Sequence, residues 1–146
     1  LKDPELVTLD GTLQDTKNLV SALHGVCTPS DVDEAEFEIE DLVPTLVGLL
    51  HHGALTALAG ARPWAARPGL HDIGVIVHPD HRRERAGTRV VQGVVQLLLD
   101  KGVTPLYRCA DENKGSASVA RNAGFVRNGR VQAVTLSASD PDNPEG

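Results

Sequence analysis

Positive charge is concentrated in one short stretch of this chain. Four of its ten arginines fall within eight residues, namely Arg82, Arg83, Arg85 and Arg89. Ala86 and Gly87 lie among them, where a helical pattern begins. The N-terminus of a helix carries unpaired N–H groups and a partial positive charge, which suit an anion. In a protein of net charge -6, this local excess of arginine predicts a site for a phosphate-bearing ligand.

Composition limits the classes of protein that this can be. The 146 residues fit one domain, with 40% hydrophobic and 23% charged residues. The acidic balance argues against general nucleic-acid binding, and no apolar run approaches the roughly 18 residues that span a bilayer. Cys27 and Cys109 form neither a disulfide framework nor a metal-ligand cluster. We therefore expect a cytoplasmic protein that binds neither nucleic acid nor membrane and holds no metal.

The N-terminal part of the chain predicts a strand, a helix and an acidic segment. Residues 6–10 read as a short first strand, and residues 12–24 place apolar side chains at helical spacing. Residues 27–41 are rich in Asp and Glu and form either a short helix or a ragged strand. A charge run is usually a solvated face. It could also steer a cationic molecule or bind a protein partner.

The middle of the chain changes from helical spacing to strand patterns. Residues 44–64 predict two strands joined at His52-Gly53, a hairpin signal. Residues 61–70 are expected to form a turn region, because Pro63 and Pro68 interrupt regular pairing.

The remaining pattern alternates strands and helices. Residues 71–77 predict an apolar strand, and residues 87–101 predict a helix with one apolar stripe. A strand at 104–110, a loop and short helix at 111–125, and a last strand at 130–138 follow. The order of elements indicates a mixed α/β domain.

Two motifs in this order resemble the GCN5-related N-acetyltransferases (GNAT). That family's loop reads [QR]-x-x-G-x-[GA] after a strand and continues as a helix, and residues 82–87 align with it after Val77. The family also has an Asn at the end of the next strand, then a small residue and a short helix closing on Gly-Phe. Asn113, Ser116 and Gly124-Phe125 stand at those places.

The resemblance implies a fold and an activity. The fold would be α/β (α+β), with a mixed, mostly antiparallel central sheet, flanking helices and a splayed strand pair. The activity would be direct transfer of an acetyl group from acetyl-CoA to the amine of a small molecule or peptide. Residues 1–138 would form one N-acetyltransferase domain, residues 139–146 would be a disordered tail, and a homodimer is left open.

The resemblance also implies which residues bind acetyl-CoA. The backbone of Val75 and Val77 would pair with the pantetheine arm as an added strand would. The pyrophosphate would lie on the N–H groups of residues 83–88. The full set of cofactor-binding residues is Val75, Ile76, Val77, Arg82, Arg83, Arg85, Ala86, Gly87, Thr88, Asn113 and Ser116.

The chain departs from the family pattern at two positions. Arg85 replaces the family's central glycine, although an arginine can still offer its N–H to a phosphate if its φ is negative. Ala120 replaces a tyrosine that protonates the departing thiolate in many members, and Tyr107 is expected to be a packing residue. These departures motivate an alternative, a catalytically degenerate acyl-CoA-binding regulatory domain.

The resemblance places a general base near the start of the central strand. Family members often have a carboxylate six residues before the last residue of that strand, which here is His71. An imidazole can act as a base at neutral pH. Asp72, the neighbouring residue, is a second candidate, although alternate strand residues face opposite sides of the sheet. Both side chains could instead simply begin a strand at the surface.

Overall fold

A computed structural model describes residues 1–109 and 112–126, with Arg83 described by its backbone alone. In this part of the chain, five strands form one sheet in sequential order. Neighbouring strands are antiparallel except for the last pair, which is parallel. The strands are β1 (Val7–Leu9), β2 (Leu46–His51), β3 (Ala54–Trp64), β4 (Arg67–Val77) and β5 (Thr104–Leu106).

Helices cover both faces of the sheet. They are α1 (Gln14–Val26), α2 (Pro29–Ala35), α3 (Ala86–Asp100) and α4 (Lys114–Asn122), with 3-10 segments at Ile39–Asp41 and Pro79–Glu84. Val90 and Val94 of α3 pack with Ile73 on one face, and Val20 of α1 packs with Ile76 on the other. Alternation of side chains along β4 sends Ile73 and Ile76 to opposite faces. None of the described helices is both long enough and apolar enough to cross a membrane.

The mixed, mostly antiparallel sheet with flanking helices confirms the predicted fold class. The strand at 6–10, the helix at 12–24 and the hairpin at His52-Gly53 correspond to β1, α1 and the β2–β3 connection. The predicted last strand at 130–138 and the tail at 139–146 lie outside the described residues.

The expected turn region at 61–70 is wrong. Strands β3 and β4 continue through it, and Ala65 and Ala66 alone connect them. Pro63 pairs with His71, and the register shifts immediately afterwards. A proline lacks an N–H donor, so it fits a strand beside such an irregularity.

Helix α2 forms within the acidic segment because its first turn is well capped. The Thr28 hydroxyl accepts a hydrogen bond from the Asp31 N–H at 3.2 Å, and the Asp31 carboxylate accepts one from the Thr28 N–H at 3.4 Å. The end of the helix lies against β4 at Gly74. Any Cβ at Gly74 would clash with the Ala35 carbonyl oxygen, so only glycine allows this approach.

Strands β4 and β5 pair over three residues and then separate. The parallel register runs from Leu70 opposite Thr104 to Asp72 opposite Leu106. Beyond that point, Ile73–Val77 of β4 pair with β3 but with no second strand among the described residues. The strand expected at 104–110 is therefore short, and a gap opens between the two strands.

Candidate functional site

A cavity of about 320 Å³ opens where β4 and β5 separate. It reaches from the end of β4 to the first turns of α3 and α4, and α2 borders it. Nine of the eleven residues predicted to bind the cofactor line it. They are Val75, Ile76, Val77, Arg82, Arg85, Gly87, Thr88, Asn113 and Ser116. Ala86 is buried beside it, and the side chain of Arg83 lies outside the description.

The 3-10 segment after β4 places the start of α3 at one end of the cavity. The segment begins at His78, whose Nδ1 accepts a hydrogen bond from the Asp80 N–H at 3.1 Å. The first turn of α3 packs tightly, since a Cβ at Gly87 would lie 3.0 Å from Cγ2 of Val77. The small residues at the helix entry thus bring unpaired N–H groups close to the strand.

Arg85 does not have the negative φ that would leave its N–H freely available. Its φ is 60° and its ψ is 19°, the left-handed conformation that glycine adopts most easily. The need for this conformation explains why a glycine was expected at the position. An arginine held there adds a Cβ and a guanidinium to the wall of the cavity.

Arg82 is held at the mouth of the cavity by α2. Its Nη2 donates to the Asp31 carboxylate at 2.6 Å and lies 3.5 Å from the Val77 carbonyl oxygen. Burial raises the pKa of Asp31, but the hydrogen bonds from Arg82 and Thr28 outweigh it and leave the pKa below its usual value. The Asp31 carboxylate thus partly neutralises the charge of Arg82.

Asn113 organises the opposite wall. Its Oδ1 accepts a hydrogen bond from the Ser116 N–H at 2.9 Å and caps α4. Its Nδ2 donates to the Glu34 carboxylate at 2.6 Å. Two acidic residues of α2 therefore contact residues on two different walls of the cavity.

Tyr107 combines packing with a polar contact. Its ring lies 5.5 Å from that of Phe125, and its Oη lies 2.8 Å from Oγ of Ser116. Burial raises the pKa of Tyr107 to about 12. The phenol therefore keeps its proton near neutral pH, and Tyr107 is one of the residues that line the cavity.

His71 and Asp72 lie on β4 outside the lining of the cavity. The Asp72 carboxylate accepts a hydrogen bond from Nη2 of Arg108 at 2.5 Å, and the Arg108 guanidinium lies 5.2 Å from the centre of the Trp64 ring. The hydrogen bond to Asp72 raises the pKa of Arg108. The assignment of either residue as a base stays a prediction.

Seven residues that line the cavity are not among the predicted ones: Asp31, Glu34, Tyr107, Gly115, Ser118, Val119 and Asn122. The signal for the first two is Gly74, the glycine that lets α2 approach the strand. Tyr107 gave no signal, because its partner Ser116 lies on another element. In residues 1–109 and 112–126, no three His, Cys, Asp or Glu side chains are placed to hold a metal ion.

Solved structures of acetyltransferases share this fold. A protein assigned to the GNAT family from Novosphingobium aromaticivorans DSM 12444 has a TM-score of 0.65 and 20% identity, over 86% of this chain and 53% of its own. This chain thus spans about half the length of that protein. An aminoglycoside acetyltransferase from an uncultured soil metagenomic sample, in complex with sisomicin, has a TM-score of 0.66 and 11% identity over 90% and 94% of the two chains.

A third structure is the aminoglycoside acetyltransferase AAC(6')-Ib in complex with coenzyme A. Its TM-score is 0.62 and its identity 16%, over 85% of this chain and 86% of its own. No curated protein sequence matches the chain. The family model of the acetyltransferase (GNAT) family matches residues 13–125. Because that match covers well over half of the sequence, the chain belongs to the GNAT acetyltransferase family.

Proposed function

We propose that the chain is an N-acetyltransferase that moves the acetyl group of acetyl-CoA directly to an amine. The observation that carries this proposal is the convergence of residues on one cavity. Nine of the eleven residues that sequence resemblance assigns to the cofactor line it, although they come from β4, the 3-10 segment, α3 and α4. An unrelated surface cleft would not be expected to gather the same set.

The walls of the cavity suit the parts of coenzyme A. The edge of β4 beyond Asp72 faces the gap, so the amides of a pantetheine arm can pair with the backbone of Val75 and Val77. The pyrophosphate lies at the start of α3, where the N–H groups of the first turn point outward. Arg82 and Arg85 add charge-assisted hydrogen bonds.

The transfer itself needs an uncharged amine. Its lone pair attacks the thioester carbonyl, a C–N bond forms, the C–S bond breaks, and CoA leaves as a thiolate. His71 is proposed as the base that takes the proton of the amine, with Asp72 as the second candidate. The partners that follow are acetyl-CoA and a small-molecule or peptide amine.

The proposal is tested by mixing the protein with acetyl-CoA and a panel of amines. Sisomicin is included because a structurally similar protein binds it, together with spermidine and a lysine-containing peptide. Release of free thiol together with an acetylated amine detected by mass spectrometry is the expected result. Cofactor binding without turnover on any amine would favour the regulatory alternative, and no binding would contradict both.

A further inference from the structure

The thiolate that leaves in the proposed reaction needs a hydrogen-bond donor. A thiol of pKa about 8.5 leaves as an anion near neutral pH, and donors placed where charge develops stabilise the transition state. Position 120, on the cavity-side helix α4, carries an alanine, which donates nothing. The donor must therefore come from another side chain or from water.

Two hydroxyls stand together in the cavity. The Oη of Tyr107 and the Oγ of Ser116 are 2.8 Å apart, and both residues line the cavity. Tyr107 directly follows Leu106, the last residue of β5 that pairs with β4, so it lies where the gap between the strands begins. An extended ligand arm that follows β4 back from the start of α3 ends there.

The rest of the site fixes this pair of hydroxyls. Ser116 is in the first turn of α4, where the Asn113 cap holds its N–H at 2.9 Å. The Tyr107 ring packs against Phe125, which limits its rotation. When one hydroxyl of the pair donates to the other, the accepting hydroxyl still has its own O–H, which can donate to a third atom. The pair is thus preorganised and keeps one proton for the ligand.

We propose that the Tyr107–Ser116 hydroxyl pair donates a hydrogen bond to the sulfur of the departing CoA thiolate. This inference rests on the proposed acetyl transfer. As the amine nitrogen bonds to the carbonyl carbon, the C–S electron pair moves to sulfur and is stabilised by the pair. The ammonium proton passes to the base or to water, and solvent supplies the proton that completes the thiol.

The role of the pair is hydrogen bonding rather than full proton transfer. Burial raises the pKa of Tyr107 to about 12. A phenol with this pKa is a weaker acid than a thiol and does not give up its proton to a thiolate completely. It stays protonated near neutral pH, so the donor is present there.

The test compares Tyr107→Phe and Ser116→Ala with the native protein. Tyr107→Phe keeps the ring that packs on Phe125, and Ser116→Ala keeps the helix, so each is a check on the other should one fail to fold. The matched control is Ser21→Ala, which removes an exposed hydroxyl from α1. Measurements are the dissociation constant of acetyl-CoA and the turnover number with an amine that the native protein acetylates.

The expected result is a turnover number lowered about 10- to 100-fold in both variants, because one hydrogen bond to a charged atom is lost. In Tyr107→Phe the affinity for acetyl-CoA should change less than about twofold, which separates a loss of turnover from a loss of binding. Acetyl-selenocoenzyme A, which releases a less basic selenolate, should restore most of the rate. Native turnover in both variants would overturn the role of the pair and leave the transferase function standing. Absence of turnover in the native protein would overturn both.

Discussion

Arg85 adopts a left-handed backbone conformation at the junction between the 3-10 segment and α3. For a residue with a Cβ this conformation costs roughly 1 kcal/mol or more. The surrounding fold requires it, because the chain must reverse direction between a strand and a helix that pack closely at Gly87. A glycine would adopt the same angles with little strain.

We therefore expect Arg85→Gly to stabilise the protein by about 0.5–1 kcal/mol, since it relieves strain while adding some freedom to the unfolded chain. Urea denaturation followed by circular dichroism measures this change. Arg85→Ala is the matched control, because it removes the guanidinium but keeps the Cβ and hence the strain. Equal stabilisation by both variants would show that side-chain charge, not backbone strain, is responsible.

Helix α2 lies against the cavity because β4 leaves room for its C-terminal end and because its own first turn is capped. Gly74 on β4 lacks the Cβ that would clash with the Ala35 carbonyl, and the Thr28–Asp31 capping box begins the helix. We predict that Gly74→Ala lowers the free energy of unfolding by about 1–3 kcal/mol, the usual cost of overpacking. Gly69→Ala on the same strand meets nothing within 4 Å and should be neutral or slightly stabilising. Similar unfolding midpoints for the two variants would contradict this packing.

The contact between Asp31 and Arg82 competes with the proposed pyrophosphate. Asp31→Asn should strengthen acetyl-CoA binding by about two- to fivefold, because it releases an arginine from a partly exposed ion pair worth roughly 0.2–1 kcal/mol. Asp33→Asn removes the same charge from the same helix without touching Arg82, so it should have the smaller effect. Calorimetric titration measures both. If the two variants bound acetyl-CoA with equal affinity, the net negative charge of α2, and not the Asp31–Arg82 ion pair, would limit binding.

The elements themselves were largely predictable, whereas their contacts were not. Apolar periodicity located α1, α3 and the β2–β3 hairpin, since these patterns reflect burial on one face. The two prolines misled the prediction at 61–70, because Pro63 sits beside a register shift that only the paired strand reveals. Asp31 and Arg82 are separated by 51 positions in the sequence, and Glu34 and Asn113 by 79. Local sequence patterns do not predict contacts over such separations.

At the scale of the whole molecule, Arg89 ties the N-terminal segment to α3. Its guanidinium donates to both oxygens of Asp3, at 2.7 and 2.8 Å, and to Glu5 at 3.0 Å. Arg89 therefore stabilises the attachment of the N-terminal segment to α3, whereas Arg82 and Arg85 line the cavity. The hydrogen bond from Arg89 lowers the pKa of Asp3 below its usual value of 3.8.

A lowered carboxyl pKa contributes stability that is present above the unfolded pKa and is lost as the pH falls through the folded one. Asp3→Asn should thus reduce the free energy of unfolding by about 0.5–1 kcal/mol near neutral pH and by progressively less as the pH falls below 3.8. Urea denaturation at several pH values measures the difference. A difference that stays constant down to the lowest pH would show that Asp3 acts through packing rather than charge.

We propose that the cavity between β4, α3 and α4 holds acetyl-CoA. The most direct test of this proposal is a titration of isotope-labelled protein with acetyl-CoA, followed by the backbone amide signals in NMR spectra. If acetyl-CoA binds there, we expect saturable shifts that concentrate at Val75–Val77, at residues 85–88 and at Asn113. Unchanged signals at those amides under excess acetyl-CoA, or shifts that concentrate on the outer face of α1, would contradict it.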